Sequence, residues 1–427
     1  MKKIGVALLG LGTVGGGTYE ILTKNRDYFK ETQNVDIEVK QVLEKNTKRC
    51  EEFGVDLSIV STDIEKVINN PEIQIVAEFF GGIEPARTFL IKALESGKSI
   101  VTANKELFSK HWQELEFAAK KGNAGLYFEA SCVGGVPIIR TLTDSMQANH
   151  IIEMKGIING TTNYILSSMT ESGTAYDDAL KSAQALGFAE FNPTADVDGF
   201  DASYKISILS SLAYHKRVPL EKVYREGISN ISVNDIAIGK ELGMTLKLLA
   251  ISKCINGKIE ARVHPAFVPS THPLASVSGA FNAVFLKGDS VGDIMLYGAG
   301  AGALPTGSAI VSDIIFAAQK EIPPRYAYME KTEVDDNDFL SDFTSKYYVR
   351  INANDEEGTL GKIANVFGKN NINLVSVIQR NSSKLHIVPI VFVTSETKES
   401  KMQRAIAEIK KLAGVESIRA LIRVEED

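Results

Sequence analysis

Asp201 and Lys205 stand four residues apart in the stretch Gly199-Phe-Asp-Ala-Ser-Tyr-Lys-Ile-Ser-Ile-Leu-Ser-Ser-Leu-Ala213. On a helix that spacing brings a carboxylate and an ammonium side by side. Taken alone, such a pair reads as a structural ion pair. Its setting adds a second reading. Ala202, Ile206, Leu209 and Ala213 make one core-facing stripe, and the face bearing Asp201 and Lys205 runs on into Ile208 and Leu212, where charge is poorly solvated. Just upstream, Glu190, Asp196 and Asp198 crowd a loop punctuated by Gly187, Pro193 and Gly199, a setting suited to the amine of a small polar substrate. Lys105, in Thr102-Ala-Asn-Lys105, follows an expected strand of a parallel sheet. Ligands gather outside the carboxyl ends of such strands, so Lys105 points toward the cofactor as one of its binding residues and is an electrostatic partner for a carboxylate or a carbonyl oxygen.

The elements that must position these groups begin with Gly10-Leu-Gly-Thr-Val-Gly15, a G-x-G-x-x-G loop directly after an apolar strand and before a helical pattern. Gly10 permits the tight turn, Gly12 lets a pyrophosphate approach the backbone, Gly15 lets helix and sheet pack, and Thr13 and Val14 open the helix whose N-terminus faces the phosphates. Short apolar runs (Lys3–Leu9, Ile37–Leu43, Ile73–Phe79, Ser99–Thr102, Leu126–Glu129) alternate with helical spacing over 14–30, 84–96 and 105–121. This predicts a doubly wound parallel sheet, a Rossmann-like dinucleotide domain over 1–130. At the end of the second strand, Glu44 is followed by Lys45, Lys48 and Arg49. Cations there suit the 2′-phosphate of NADP(H) over NAD(H), the alternative being a solvated loop with ordinary surface charges.

Residues 131–325 change character. Helices over about 160–170, 176–186 and 201–215 precede β-rich stretches at Leu246–Cys254, Lys258–Phe267 and Ala283–Leu286, which predicts a mixed sheet covered by helices. After Pro323-Pro324, an acidic, weakly patterned linker over 326–345 follows, with Glu333-Val-Asp-Asp-Asn-Asp338 within it. Residues 346–427 then read strand Tyr347–Asn352, helix 359–369, strands Leu374–Gln379 and Leu385–Val393, helix 399–412 and strand Val415–Ile422, a ferredoxin-like βαββαβ order.

Composition sets limits. A net charge of -6 and a pI near 5.7 argue against nucleic acid as a partner. No apolar run approaches the roughly 20 residues that span a bilayer, and glycines interrupt the apolar start too early for a signal peptide. Cys50, Cys132 and Cys254 form no C-x-x-C pair, and six scattered histidines form no H-x-x-x-H pair. That predicts a reducing, cytoplasmic setting and no zinc-type chemistry.

Seven ordered motifs resemble one family, the monofunctional bacterial homoserine dehydrogenases with a C-terminal ACT domain. They are the glycine loop, Thr102-Ala-Asn-Lys105, Glu129-Ala-Ser-Cys-Val-Gly-Gly-Val-Pro-Ile138, Gly156-Ile-Ile-Asn-Gly-Thr-Thr-Asn-Tyr-Ile165, the segment from Ala189-Glu190 to Lys205, His272-Pro-Leu-Ala275 with Asn282-Ala-Val284, and Gly298-Ala-Gly-Ala-Gly302 with Pro305-Thr306. The resemblance implies interconversion of aspartate 4-semialdehyde and L-homoserine, a step toward threonine and methionine. Lys105 and Lys205 would then handle the proton and polarise the carbonyl, with Asp201 positioning Lys205. Glu190 and Asp196 would hold the substrate amine, Gly160 and Thr161 would border the substrate, and Gly300 and Gly302 would lie at the cofactor. It further implies a sodium ion held by Glu129 and the carbonyls of Cys132, Gly134 and Val136, although Cys132-Val133 stands where the family more often has Val-Gly. The last domain resembles an ACT unit, with Asn354-Asp-Glu-Glu-Gly-Thr-Leu360 as its first turn and Glu357 where proline is usual. This implies a threonine effector, with a purely dimerising appendage as the alternative, and a homodimer or homotetramer. Two rival readings are an aspartate-semialdehyde dehydrogenase with Cys132 as nucleophile, and a non-catalytic sensor of nucleotide and amino acid.

Overall fold

The computed structural model describes residues 1–379 and 386–426. Strands Lys2–Leu9, Val35–Leu43, Val60–Ser61, Ile75–Glu78, Ser99–Thr102 and Leu126–Tyr127 pair in parallel, with Lys2–Leu9 between Val35–Leu43 and Ile75–Glu78. This strand order reverses beside the first strand, which opens a crevice at its carboxyl end. Helices cover both faces, so Val6, Ala7, Leu8 and Leu9 are all buried. The helix expected over 14–30 is two helices, Thr13–Lys24 and Arg26–Gln33, separated at Asn25.

One long helix was not expected. Ala303–Gln319 begins in a Gly/Ala/Pro-rich segment that reads as loop, yet it packs back along Thr13–Lys24. The small residues explain the contact: a Cβ on Gly17 would lie 2.3 Å from the Ala303 carbonyl oxygen, and one on Gly307 would lie 2.9 Å from the Thr18 nitrogen. Ile310 and Ile314 join the core formed by Val6, Leu8 and Val42. In packing terms, residues 303–319 therefore serve the dinucleotide domain although they lie within the 131–325 span.

The second sheet runs Gly292–Ala299, Phe281–Gly288, Ile151–Ile157, Met244–Ile255, Lys258–Pro269, each antiparallel to the next. It does not stop there. Lys258–Pro269 also pairs in parallel with the C-terminal strand Val415–Val424, through Ala266 with Arg423 and Phe267 with Val424. The sheet thus continues into the last domain as Val415–Val424, Thr344–Asn354, Ile387–Thr394, Leu374–Gln379, the ferredoxin-like order. Leu385, the expected start of one of these strands, lies outside the described residues.

Charged groups seal this junction. Arg262 and Arg423 have no exposed surface. Arg262 donates to Glu425 at 2.7 and 3.2 Å and to Glu260 at 2.6 Å, and Arg423 pairs with Glu399 at 2.6 Å and with Glu226. Burial and the two arginines push the His264 imidazole well below its ordinary range, so it stays neutral and accepts from Arg262. A second clasp joins Asp235, on the helix Val233–Glu241, to Arg350 at 2.6 and 2.9 Å and to the Tyr348 hydroxyl at 2.9 Å. The expected linker is also fixed, since Tyr326 packs edge-on against Trp112 and Phe128.

Candidate active site

A cavity of about 540 Å³ lies between the carboxyl end of the parallel sheet and the second domain. Its walls bring together Thr13 and Val14 of the glycine loop, Lys105, Gly160, Thr161, Asp196, Asp201, Lys205, Gly134, Gly300 and Gly302.

The glycine loop takes the form its spacing predicts. Gly10 has φ +99°. A Cβ on Gly15 would sit 2.5 Å from the Gly10 carbonyl oxygen, whereas one on Gly12 would meet no protein atom within 4 Å. The room at Gly12 is therefore on the ligand side, as a pyrophosphate cradle at a helix N-terminus requires. At the end of the second strand, both oxygens of Glu44 are engaged: Oε2 accepts from the Leu11 N–H and Oε1 from Lys45 and Asn46. Lys45 is exposed, and Arg49 Nε is anchored on the Leu11 carbonyl.

Lys105 is placed by the turn before it. The Thr102 hydroxyl donates to buried Glu78 and accepts from the Asn104 N–H, and Asn104 caps the helix Lys105–Gly122 by accepting from Leu107. Thr-Ala-Asn-Lys is therefore a strand end, a turn, a cap and a first helical residue. Gly199, at φ +79°, starts the helix Phe200–Tyr214, which carries Asp201 and Lys205, through its main chain, its carbonyl accepting from the Ser203 N–H at 3.0 Å.

One carboxylate holds both ammonium groups. Lys105 Nζ lies 2.7 Å from Asp201 Oδ1, and Lys205 Nζ donates to Asp201 Oδ2 at 2.7 Å and to the Ile158 carbonyl at 2.7 Å. Burial pushes the Asp201 carboxyl up, but Lys105, Lys205 and Asn159 outweigh it and hold it well below the usual carboxylate range. The Asp201 charge in turn raises Lys105. Asn159 is a site residue that its type did not reveal. Its Nδ2 bridges Asp196 at 2.7 Å and Asp201 at 2.8 Å, while its Oδ1 caps the helix Gly160–Ser172 at the Thr162 N–H. From sequence it reads as an ordinary N-cap; its position at the end of a strand entering the same crevice was the available signal. Burial, then the neighbouring Asp201 charge, raises the Asp196 carboxyl.

Two of the expected site residues stand apart from the rest. Glu190 is exposed and outside the cavity wall, since the turn after the helix Tyr176–Ala185 presents Leu186, Gly187 and Phe188 instead. The Glu129 carboxylate accepts from the N–H groups of Ile139 and Arg140, at 2.7 and 2.9 Å, and from Arg140 Nε at 3.3 Å. These donors take up most of its acceptor capacity, which leaves the main-chain oxygens of this loop as the freer ligands for a cation. The loop nonetheless follows a left-handed course: Val133 has φ +57° and Gly134 φ +56°. For a valine that conformation costs about 1–2 kcal/mol, which burying its isopropyl group completely offsets by roughly 2 kcal/mol.

A parallel sheet with this loop and an ammonium–carboxylate–ammonium cluster at its crevice defines a nicotinamide-dinucleotide oxidoreductase. The homoserine dehydrogenase NAD-binding domain profile matches residues 10–129, the homoserine dehydrogenase profile residues 137–315 and the ACT domain profile residues 347–414. Homoserine dehydrogenase of Neisseria gonorrhoeae is 40% identical over 433 residues, covering 100% of this chain and 99% of its own, and that of Bacillus subtilis is 37% identical over 436 residues with the same coverage. The crystal structure of a homoserine dehydrogenase from Thiobacillus denitrificans superposes with a TM-score of 0.93 at 38% identity, covering 100% of this chain and 99% of that one. The chain belongs to the homoserine dehydrogenase family.

A buried lysine shapes one wall of the site. Lys247 donates to the Val277 carbonyl, and Asn163 donates to the carbonyls of Val277 and Phe281, which holds the segment carrying Ala280 against the cavity. Burial lowers the Lys247 ammonium to about 8, with Glu171 a weak opposing charge. The native protein thus releases this proton before the unfolded chain does, and wild-type stability gains between pH 8 and the ordinary lysine range. The melting-temperature difference between Lys247→Met and wild type is expected to shift in favour of wild type between pH 7 and pH 10. An unchanged difference across that range would refute the assignment.

Proposed function

We propose that this chain interconverts aspartate 4-semialdehyde and L-homoserine with NADP(H) as the preferred dinucleotide. The observation that carries the reading is the single carboxylate, Asp201, holding two ammonium groups in one cavity with the glycine loop. The bound dinucleotide supplies or accepts the hydride at the aldehyde carbon. The chain's own groups then deal with the oxygen. As the carbonyl becomes an alkoxide, Lys105 and Lys205 stabilise its charge, and one of them delivers the proton that completes the alcohol. Two of the three Lys205 protons are already committed, to Asp201 and to Ile158, which orients the third. Asp196, with Asn159 fixing its carboxylate, would hold the substrate amine, and Gly160 and Thr161 would border the carbon chain. In reverse, the same lysines stabilise the alkoxide from which hydride leaves.

The wild type is expected to oxidise NADPH when aspartate 4-semialdehyde is added. Lys205→Ala is expected to lower kcat by about 10²–10⁴-fold while NADPH binding stays intact. Near-normal turnover in that variant would remove Lys205 from the mechanism.

Preference for NADP(H) rests on exposed Lys45 and Lys48 beside a Glu44 already engaged by three main-chain donors. The adjoining recess of about 370 Å³, lined by Leu43, Lys45, Phe80, Pro85 and Phe89, would take the adenosine. Lys45→Glu is expected to shift the ratio of kcat/KM toward NADH, and an unchanged ratio would count against the assignment.

A sodium ion would be held by the main-chain oxygens of Glu129, Cys132, Gly134 and Val136, steadying the loop whose Ser131 and Gly134 wall the cavity. The ACT domain is read as the place of a threonine effector in threonine and methionine synthesis. Homo-oligomerisation is supported by the exposed stacked pair Phe281 and Tyr297 on the outer strands of the second sheet, with ring centroids 5.2 Å apart. Among the described residues no helix is long and apolar enough to cross a membrane, and free thiols at Cys50, Cys132 and Cys254 support a reducing, cytoplasmic setting.

A further inference from the structure

Asn282 stands near the start of the strand Phe281–Gly288, opposite Gly298 of the neighbouring strand. It has no exposed surface, yet neither its Oδ1 nor its Nδ2 has a hydrogen-bond partner among the described residues. A buried carboxamide without partners is unfavourable, because it loses its bonds to water and gains none in return. Most such groups in a folded protein are paired, so one that is not points to a state in which it becomes so.

Its neighbours identify that state. A Cβ on Gly300 would lie 2.2 Å from both Cγ and Nδ2 of Asn282, and one on Gly160 would lie 3.5 Å from Oδ1. The carboxamide is thus wedged between two backbone segments, and both face the cavity on their other side. One is the loop Gly298–Gly302, which leads into the helix packed on the dinucleotide domain. The other is the start of the Gly160–Ser172 helix, next to Asn159. A change at either segment on ligand binding is felt at Asn282 directly.

We infer that Asn282 is a positioning residue for the Gly300 loop. Its carboxamide pairs with the main chain of Gly300 or Gly160 only when the nicotinamide end of a dinucleotide occupies the cavity, so the unpaired amide of the free protein becomes dinucleotide affinity. The difference between the two states, not the contact itself, does the selecting. This rests on the cavity being the dinucleotide and substrate site.

The test is Asn282→Leu, close in shape and apolar, with Asn282→Ser as a smaller variant that keeps a hydroxyl. Each is melted with and without saturating NADPH and assayed for KM and kcat. Asn282→Leu is expected to melt at or above the wild-type temperature without ligand, to lose much of the NADPH-induced rise, and to raise the KM for NADPH by about tenfold, the worth of one good hydrogen bond. Asn282→Ser is expected to recover part of that affinity. If Asn282→Leu melts lower without ligand and keeps its KM, the amide has a structural partner in the free protein and the inference falls. If it melts higher with KM unchanged, the amide is inert toward the dinucleotide and the inference also falls. A wild-type protein whose melting NADPH does not raise would instead overturn the site reading, and the inference with it.

Discussion

Asp201→Asn is expected to lower kcat by about 10³-fold or more, since it disturbs both ammonium groups together. The neutral amide leaves two lysines in one cavity with only the more distant Asp196 carboxylate as a counter-charge. Removing one partner of a buried ion pair costs about 3–5 kcal/mol, so the melting temperature should fall as well. Dinucleotide binding should survive, because among the described residues the glycine loop donates no hydrogen bond to Asp201, and this separates the effect from unfolding. The pH dependence supplies a further readout. Lys105 owes its raised proton affinity first to Asp201, so the pH above which carbonyl reduction declines should move down in the variant. A wild-type kcat in Asp201→Asn, or an unmoved pH profile, would refute this account of the cluster.

Glu425→Gln is expected to have the largest effect on stability away from the cavity. Glu425 is nearly buried, accepts from both terminal nitrogens of Arg262, and is bonded by the Ser345 hydroxyl at 3.0 Å. Burial pushes its carboxyl up, but Arg262 prevails and brings it down to about 2. A depressed native value means stabilisation that is fully present above the ordinary glutamate range and lost as pH falls through the native value. From an unfolded value near 4.3, the contribution at pH 7 is roughly 3 kcal/mol. Thermal melts should show Glu425→Gln well below wild type at pH 7, with the gap closing between about pH 4 and pH 2. A gap independent of pH would place the effect elsewhere than in the carboxylate charge.

Much of the scaffold was legible because the signals are local. The alternation of apolar runs with helical spacing marks a parallel sheet, and the Asp201–Lys205 pair follows from helix geometry alone. What escaped was of two kinds. The helix Ala303–Gln319 is built from residues that resemble a loop, and the same small side chains are what let it approach Thr13–Lys24. The helix Val233–Glu241, which carries buried Asp235, has only a weak apolar pattern, and its partners Tyr348 and Arg350 lie more than a hundred residues away. In the site, the Ile158 carbonyl that receives Lys205 is main chain, so residue type says nothing of it. Asn159 hid behind its role as a helix cap. Glu190 is the opposite case, an acid in the expected segment that the turn leaves exposed and off the cavity wall.

The pairing of Ala266 and Phe267 with Arg423 and Val424 bears on how the chain is made. The strand that flanks Lys258–Pro269 follows it by well over a hundred residues, so during synthesis this edge of the second domain's sheet stays open, and Arg262 has Glu260 but not Glu425 beside it, until Val415–Val424 emerges. The dinucleotide sheet, by contrast, lies entirely in the first third of the chain and is free to form early. Ribosome stalling or a frameshift after Gln319 and before Val415 would therefore yield a protein with an intact nucleotide fold and an incomplete second sheet, a species for quality control to find by its exposed edge.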